Sequence, residues 1–75
     1  MISSVASFGF FVELENTIEG FVRVSELKDD YYIYNEKNLT LTGERNKKVY
    51  KIGDNVKVKV SSVNTALKEI DFVLE

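Results

Sequence analysis

Cysteine and histidine are both absent from these 75 residues. Without Cys there is no disulfide framework, and without either residue no thiolate or imidazole zinc site. The same absence removes Cys and His nucleophiles and the commonest general base, so most enzyme templates fail. Proline is missing too, and no stretch has linker composition or an internal repeat. No apolar run approaches the ~20 residues a membrane-spanning helix requires, and no segment has the layout of a signal peptide. What is present is a folding composition, 44% hydrophobic with five Phe and four Tyr. Disordered chains lack such a supply of aromatic and branched residues. A chain this short has room for one domain with a thin core, burying about 60–65% of the surface it exposes when unfolded. The formal charge is −2, which as a sum over the chain argues against a polyanionic partner.

Period-2 alternation runs from end to end. Val56, Val58 and Val60 alternate with Lys57, Lys59 and Ser61, and Ile70, Phe72 and Leu74 with Glu69, Asp71 and Val73. Between them Asn64-Thr65-Ala66-Leu67-Lys68 suits a hairpin connection. Val63 falls out of phase with Val60, which predicts a bulge near Ser61-Ser62. Upstream, Phe10, Val12 and Leu14 alternate with Phe11, Glu13 and Glu15. Glu15-Asn16-Thr17 reads as a turn, Gly20 to Val24 as the returning strand, and Met1 to Val5 as a first short strand. Val24 to Lys28 invites one helical turn, short enough to be 3₁₀. In the irregular middle, Leu39 to Thr42 and Lys47 to Tyr50 read as a small accessory hairpin around Gly43-Glu44-Arg45-Asn46. Five short strands in so few residues do not make a stable flat sheet with two open edges. The expected fold is therefore all-β: a five-stranded antiparallel barrel of the oligonucleotide/oligosaccharide-binding (OB) kind, with the short helical turn and the accessory hairpin.

Filling that core leaves several large groups pointing outward. Phe11 is in the wrong phase relative to Phe10 and Val12, and Arg23 relative to Val22 and Val24. Lys57 and Lys59 are outward by alternation. Phe8 precedes Gly9, where the chain is free to kink, and alternation leaves both a buried and an outward Phe8 open. Rings flanked by cations on one face suit single-stranded nucleic acid, since any base stacks on a ring and cations track phosphates. The plainer reading is that Phe residues fill a small barrel and the lysines are its solvated face.

Ser7-Phe8-Gly9-Phe10-Phe11-Val12-Glu13-Leu14 and Glu19-Gly20-Phe21-Val22-Arg23-Val24-Ser25-Glu26-Leu27 resemble the signature strands of the S1 RNA-binding domain. Ile52-Gly53-Asp54-Asn55-Val56-Lys57-Val58-Lys59-Val60, Val63-Asn64 and Ile70-Asp71-Phe72 resemble its last two strands. The resemblance spans residues 1–75 as one domain. The middle segment, Asp29-Asp30-Tyr31-Tyr32-Ile33-Tyr34 with Thr42-Gly43-Glu44-Arg45 and Lys48-Val49-Tyr50, resembles the S1 domain of the ribonuclease R family, bacterial 3′-to-5′ exoribonucleases in which this domain follows the catalytic one. Met1 stands where that family usually continues from a preceding domain, so it is expected to be an added start.

The resemblance implies a single-stranded RNA-binding module without cofactor or catalytic residues of its own. It further implies a cytoplasmic setting, a monomer when isolated, and contact with the other domains of a parent exoribonuclease. Phe8 and Phe11 match the family's two aromatic stacking positions. Arg23 stands where the family commonly has His and keeps a planar group that stacks. Asn64 replaces the family's Asp, retaining an acceptor, and Lys68 corresponds to its basic partner without a bidentate fork. Lys57 and Lys59 lie outside that set and rest on alternation. If Lys57, Lys59 and Lys68 all met phosphates, log K would fall against log salt with a slope near about −2. Asp29-Asp30 reads as a solvated turn, Lys47, Lys48 and Lys51 as a solvated hairpin tip, and Tyr31, Tyr32 and Tyr34 as loop packing. The competing functions are an OB-type protein–protein or interdomain module, in which the outward rings meet another domain, and an S1 domain of a different RNA-associated protein.

Overall fold

The computed structural model describes residues 1–15 and 18–75. In chain order the strands are β1 (Ile2–Ala6), β2 (Gly9–Glu13), β3 (Glu19–Arg23), β4 (Tyr32–Asn35), β5 (Thr40–Gly43), β6 (Val49–Lys51), β7 (Val58–Asn64) and β8 (Glu69–Leu74). A 3₁₀ turn covers Val24–Glu26, inside the stretch expected for it. The turn read at Glu15-Asn16-Thr17 falls on 16 and 17, outside the described residues. On either side of it, Leu14 N–H donates to the Ile18 carbonyl at 2.8 Å.

One sheet has the order β1-β2-β3-β8-β7 and a second the order β4-β5-β6. The all-β class holds, but the antiparallel barrel needs correction in two respects. β3 and β8 run parallel, through Phe21↔Asp71 and Val22↔Phe72, so the larger sheet is mixed. Parallel neighbours require a long crossover, and the chain between β3 and β8, which contains the whole second sheet, supplies it. Nor does the sheet close on itself: β1 and β7 stand at its two edges. The turn before β7 covers the β1 edge instead. Ile2 N–H donates to the Asp54 carbonyl at 2.8 Å, and Gly53 N–H to the Ile2 carbonyl at 2.9 Å. These bonds satisfy edge groups that would otherwise template further pairing.

Alternation accounts for the inner face of β2 and β3, where Phe10, Val12, Gly20 and Val22 are buried. On β1 the buried residues, Ile2 and Val5, break that period. A register shift between Ile2 and Ser4 adds the residue that brings Val5 back inside. The bulge expected near Ser61-Ser62 is also present, as a shift between Val60 and Ser62. Beyond it the expectation fails, because Val60 and Val63 are each 57% exposed. Among the described residues β7 has β8 as its only strand neighbour, so with no closure there is little to cover its inner side.

The middle segment is more than an accessory. The hairpin forms as β5 and β6, gains β4 as a third strand, and contributes Tyr32, Leu41 and Tyr50 to the cluster that holds Ile2, Val5, Phe10 and Phe72. Tyr50 stacks on Phe10 at 5.1 Å between centroids, and Tyr32 leans on Tyr50 at 5.4 Å. Burial, helped by the Tyr32 hydroxyl, pushes the Tyr50 phenol well above its ordinary pKa and keeps it neutral. Tyr31, by contrast, is exposed.

Asp29 and Asp30 lie in the solvated turn expected for them, and that turn is also the clasp of this second layer. Asp30 accepts the N–H groups of Tyr31, Arg45 and Asn46, each at 2.7 Å. Asp29 accepts the Tyr32 hydroxyl at 3.1 Å and Asn46 Nδ2 at 3.0 Å, with Lys48 Nζ 3.7 Å away. The Asn46 N–H, first among these donors, holds the Asp30 carboxyl below its ordinary pKa against the opposing desolvation.

Tyr50→Ala should cost about 3–5 kcal/mol in urea unfolding, most of the stability of a chain this size. A loss below about 1 kcal/mol would mean that the second sheet is merely appended. The Asp30 clasp makes a second, pH-dependent prediction. A carboxyl with a depressed native pKa stabilises fully above the unfolded value and loses that contribution as pH falls through the native one. The gap in Tm between the parent chain and Asp30→Asn should therefore narrow below about pH 4. A gap that persists unchanged to about pH 2 would contradict the clasp.

Candidate nucleic-acid interface

The alternation that buries Phe10, Gly20 and Val22 sends Phe11, Phe21 and Arg23 to the opposite face. Register sets Phe11 across from Phe21 and Gly9 across from Arg23. The Phe11 and Phe21 rings meet at 4.7 Å with planes tilted by 54°. Phe8 lies in the tight turn between β1 and β2, and its carbonyl accepts the Val24 N–H at 2.9 Å, fastening that turn to the end of β3. The residue is 59% exposed, and its ring stands 5.3 Å from that of Phe21. Phe21 is thus the middle rung of a ladder Phe8–Phe21–Phe11. Gly9 is what makes room for it. At φ +153° a Cβ would stand 2.1 Å from the Val22 carbonyl oxygen and 2.7 Å from the tip of the Phe21 ring.

These rings line a groove of about 590 Å³, which Arg23, Lys68, Glu19, Glu69 and Asp71 complete. Arg23 Nη2 lies 3.8 Å from Asp71 Oδ2. The Glu19 carboxylate is oriented by the Ser3 hydroxyl, which donates to it at 2.7 Å. Of the residues singled out in the sequence, Phe8, Phe11, Arg23 and Lys68 meet in this groove. Asn64, Lys57 and Lys59 do not line it. Asn64 Oδ1 instead accepts the N–H of Leu67, three residues on, at 3.1 Å, a side-chain bond within the turn of the β7–β8 hairpin. Lys59 pairs with Val73, which shares the outer face with Asp71 by alternation. Lys59, and Lys57 before it, therefore continue that face along β7 beyond the groove.

Two features were missed in the sequence. Phe21 was legible, because the parity that turns Arg23 outward turns Phe21 outward as well. The acids were not: Asp71 reaches the rings only through the parallel pairing of β3 with β8. The outward Phe11 is half-buried beneath its neighbours, while Phe8, left open by alternation, is the more accessible ring. The groove thus offers aromatic faces, hydrogen-bond acceptors and two cations against three acids. Among the described residues no acidic cluster is placed to hold a metal ion, and no helix is long and apolar enough to cross a membrane.

A family model for the S1 RNA binding domain matches residues 1–75. The chain belongs to that family. It is 47% identical to ribonuclease R of Ureaplasma parvum over 74 residues, covering 99% of this chain and 10% of that protein. It is 51% identical to ribonuclease R 1 of Lactococcus lactis over 72 residues, covering 96% of this chain and 9% of that protein. Among solved structures, the apo form of Mycoplasma genitalium RNase R superposes with a TM-score of 0.92 at 32% identity, over 99% of this chain and 12% of that one. The same enzyme in complex with ribose-methylated single-stranded RNA gives the same values. The chain spans about a tenth of the length of these relatives.

Proposed function

We propose that this chain holds single-stranded RNA, its bases stacked on the Phe8–Phe21–Phe11 ladder, as the substrate-gripping S1 module of a cytoplasmic 3′-to-5′ exoribonuclease of the ribonuclease R kind. The observation that carries this is the gathering of all three rings in one groove with Arg23 and Lys68. A solvent-facing aromatic ladder contributes little to a core, yet it matches the one surface that every base presents. Arg23 adds a planar cation beside the rings and Lys68 a point charge. Lys57 and Lys59 extend the same face for a strand leaving the groove. Asn64 serves chiefly by shaping the hairpin that presents Lys68, whose own backbone is left-handed at φ 54°. The role of the module is to hold, and bond cleavage belongs to the rest of the parent enzyme. The interdomain reading draws on a different surface: Val60, Val63 and Leu67 are exposed on the β7–β8 hairpin and lie outside the groove lining. That surface suits contact with another domain of the same parent and leaves the rings free for RNA.

Phe8 is the ring to remove, because it is exposed and outside the core. Phe8→Ala should weaken binding of a short single-stranded RNA by about 1–3 kcal/mol in fluorescence anisotropy, with the thermal melt unchanged. Undiminished affinity with an intact fold would remove the stacking ladder from the function.

A further inference from the structure

Of the two cations in the groove, Arg23 is already engaged. Its guanidinium lies 3.8 Å from the Asp71 carboxylate, with the side chains 59% and 33% exposed. The pairing follows from topology. The parallel register sets Asp71 opposite Phe21, and Arg23, two positions further along β3, projects on the same face. An ion pair this open contributes too little to matter for the fold. Its consequence lies in what the groove offers a polyanion. With Arg23 neutralised, Lys68 is the groove cation without an ion pair among the described residues, and Glu19 and Glu69 share the lining with it.

We propose that Asp71 is a positioning residue for RNA: it tethers Arg23 beside the aromatic ladder and withholds it from the phosphates. The grip on the strand then comes from stacking with little charge anchoring. This rests on the RNA-binding reading of the groove and adds to it a reason for the acids that line it. Bases offer equivalent faces to a ring, whereas each phosphate contact must be broken for the strand to advance. A tethered arginine suits a module that holds a strand without pinning it.

The test compares the parent chain, Asp71→Asn, Arg23→Gln and the double variant. Anisotropy with a labelled single-stranded oligouridylate is read at about 50 and 200 mM salt, where each phosphate contact on a single strand adds about 0.7 to the salt slope. Asp71→Asn, which frees Arg23 for one more phosphate contact, should lose about 2.6-fold more affinity than the parent across that range, with tighter binding at the lower salt. Asp71→Ser should behave as Asp71→Asn does, which guards against a variant that fails to fold. Arg23→Gln alone should keep the parent's salt response, and in the double variant the gain should vanish. A gain that survives in the double variant would make Asp71 a plain repelling charge and overturn the proposal. An unchanged salt response in both Asp71 variants, with RNA still bound and weakened by Phe8→Ala, would overturn it while sparing the RNA reading. Failure of the folded parent chain to bind RNA would overturn both.

Discussion

The ring of Phe72 occupies the space where a side chain on residue 20 would stand, with a Cβ there only 2.5 Å from Cε2. This contact, between a fully buried aromatic on β8 and a glycine on β3, sets the distance and register at which the two strands join. Their parallel pairing amounts to two residue pairs, Phe21↔Asp71 and Val22↔Phe72. Inside the sheet it seats Phe72 against the core. Outside, it carries Asp71, Glu69 and Lys68 up to the Phe ladder and so completes the groove. A larger residue at position 20 would move β8 and with it half the lining of the site.

Fold and site are therefore two faces of one alternation. On β2 and β3 the odd and even positions divide cleanly, with Phe10, Val12, Gly20 and Val22 inside and Phe11, Phe21 and Arg23 outside. The core is thin, as the chain's length requires, and it is completed by the second sheet. Tyr32 and Tyr50 cover Phe10 from that side, held by the hydrogen bonds that Asp29 and Asp30 accept across 15 to 17 residues of sequence. The Tyr-rich middle thus spends one aromatic face on packing, while the opposite side of the large sheet lines an open groove with its own aromatics.

Much of this was legible in the residues. Period 2 located β2, β3, β7 and β8, Val63 out of phase with Val60 located the bulge, and the phase of Phe11 and Arg23 located the outer face that carries the groove. What escaped was whatever depends on contacts distant in sequence. Tyr32-Ile33-Tyr34 is the exception, a run of strand formers beside its hairpin partner β5 whose signal is local, where loop packing was expected. The parallel crossing of β3 and β8 leaves no periodic trace, so Asp71 read only as the polar side of an amphipathic strand. Val60 continued the apolar period of β7 past the point where anything covers it. The formal charge of −2 misleads in one direction only. A positive stripe of lysines would have made the site an electrostatic one, whereas the groove is mixed in charge and aromatic at its centre.

The central claim is that single-stranded RNA lies along the outer face of β2, β3 and the start of β8. Backbone and aromatic NMR shifts followed through a titration with a short oligouridylate test it most directly. The account predicts that Phe8, Phe11, Phe21, Arg23 and Lys68 shift together along one binding curve, while Tyr32 and Tyr50 in the second sheet stay still. Shifts confined to the β5–β6 hairpin, or none at all at saturating oligonucleotide, would contradict it.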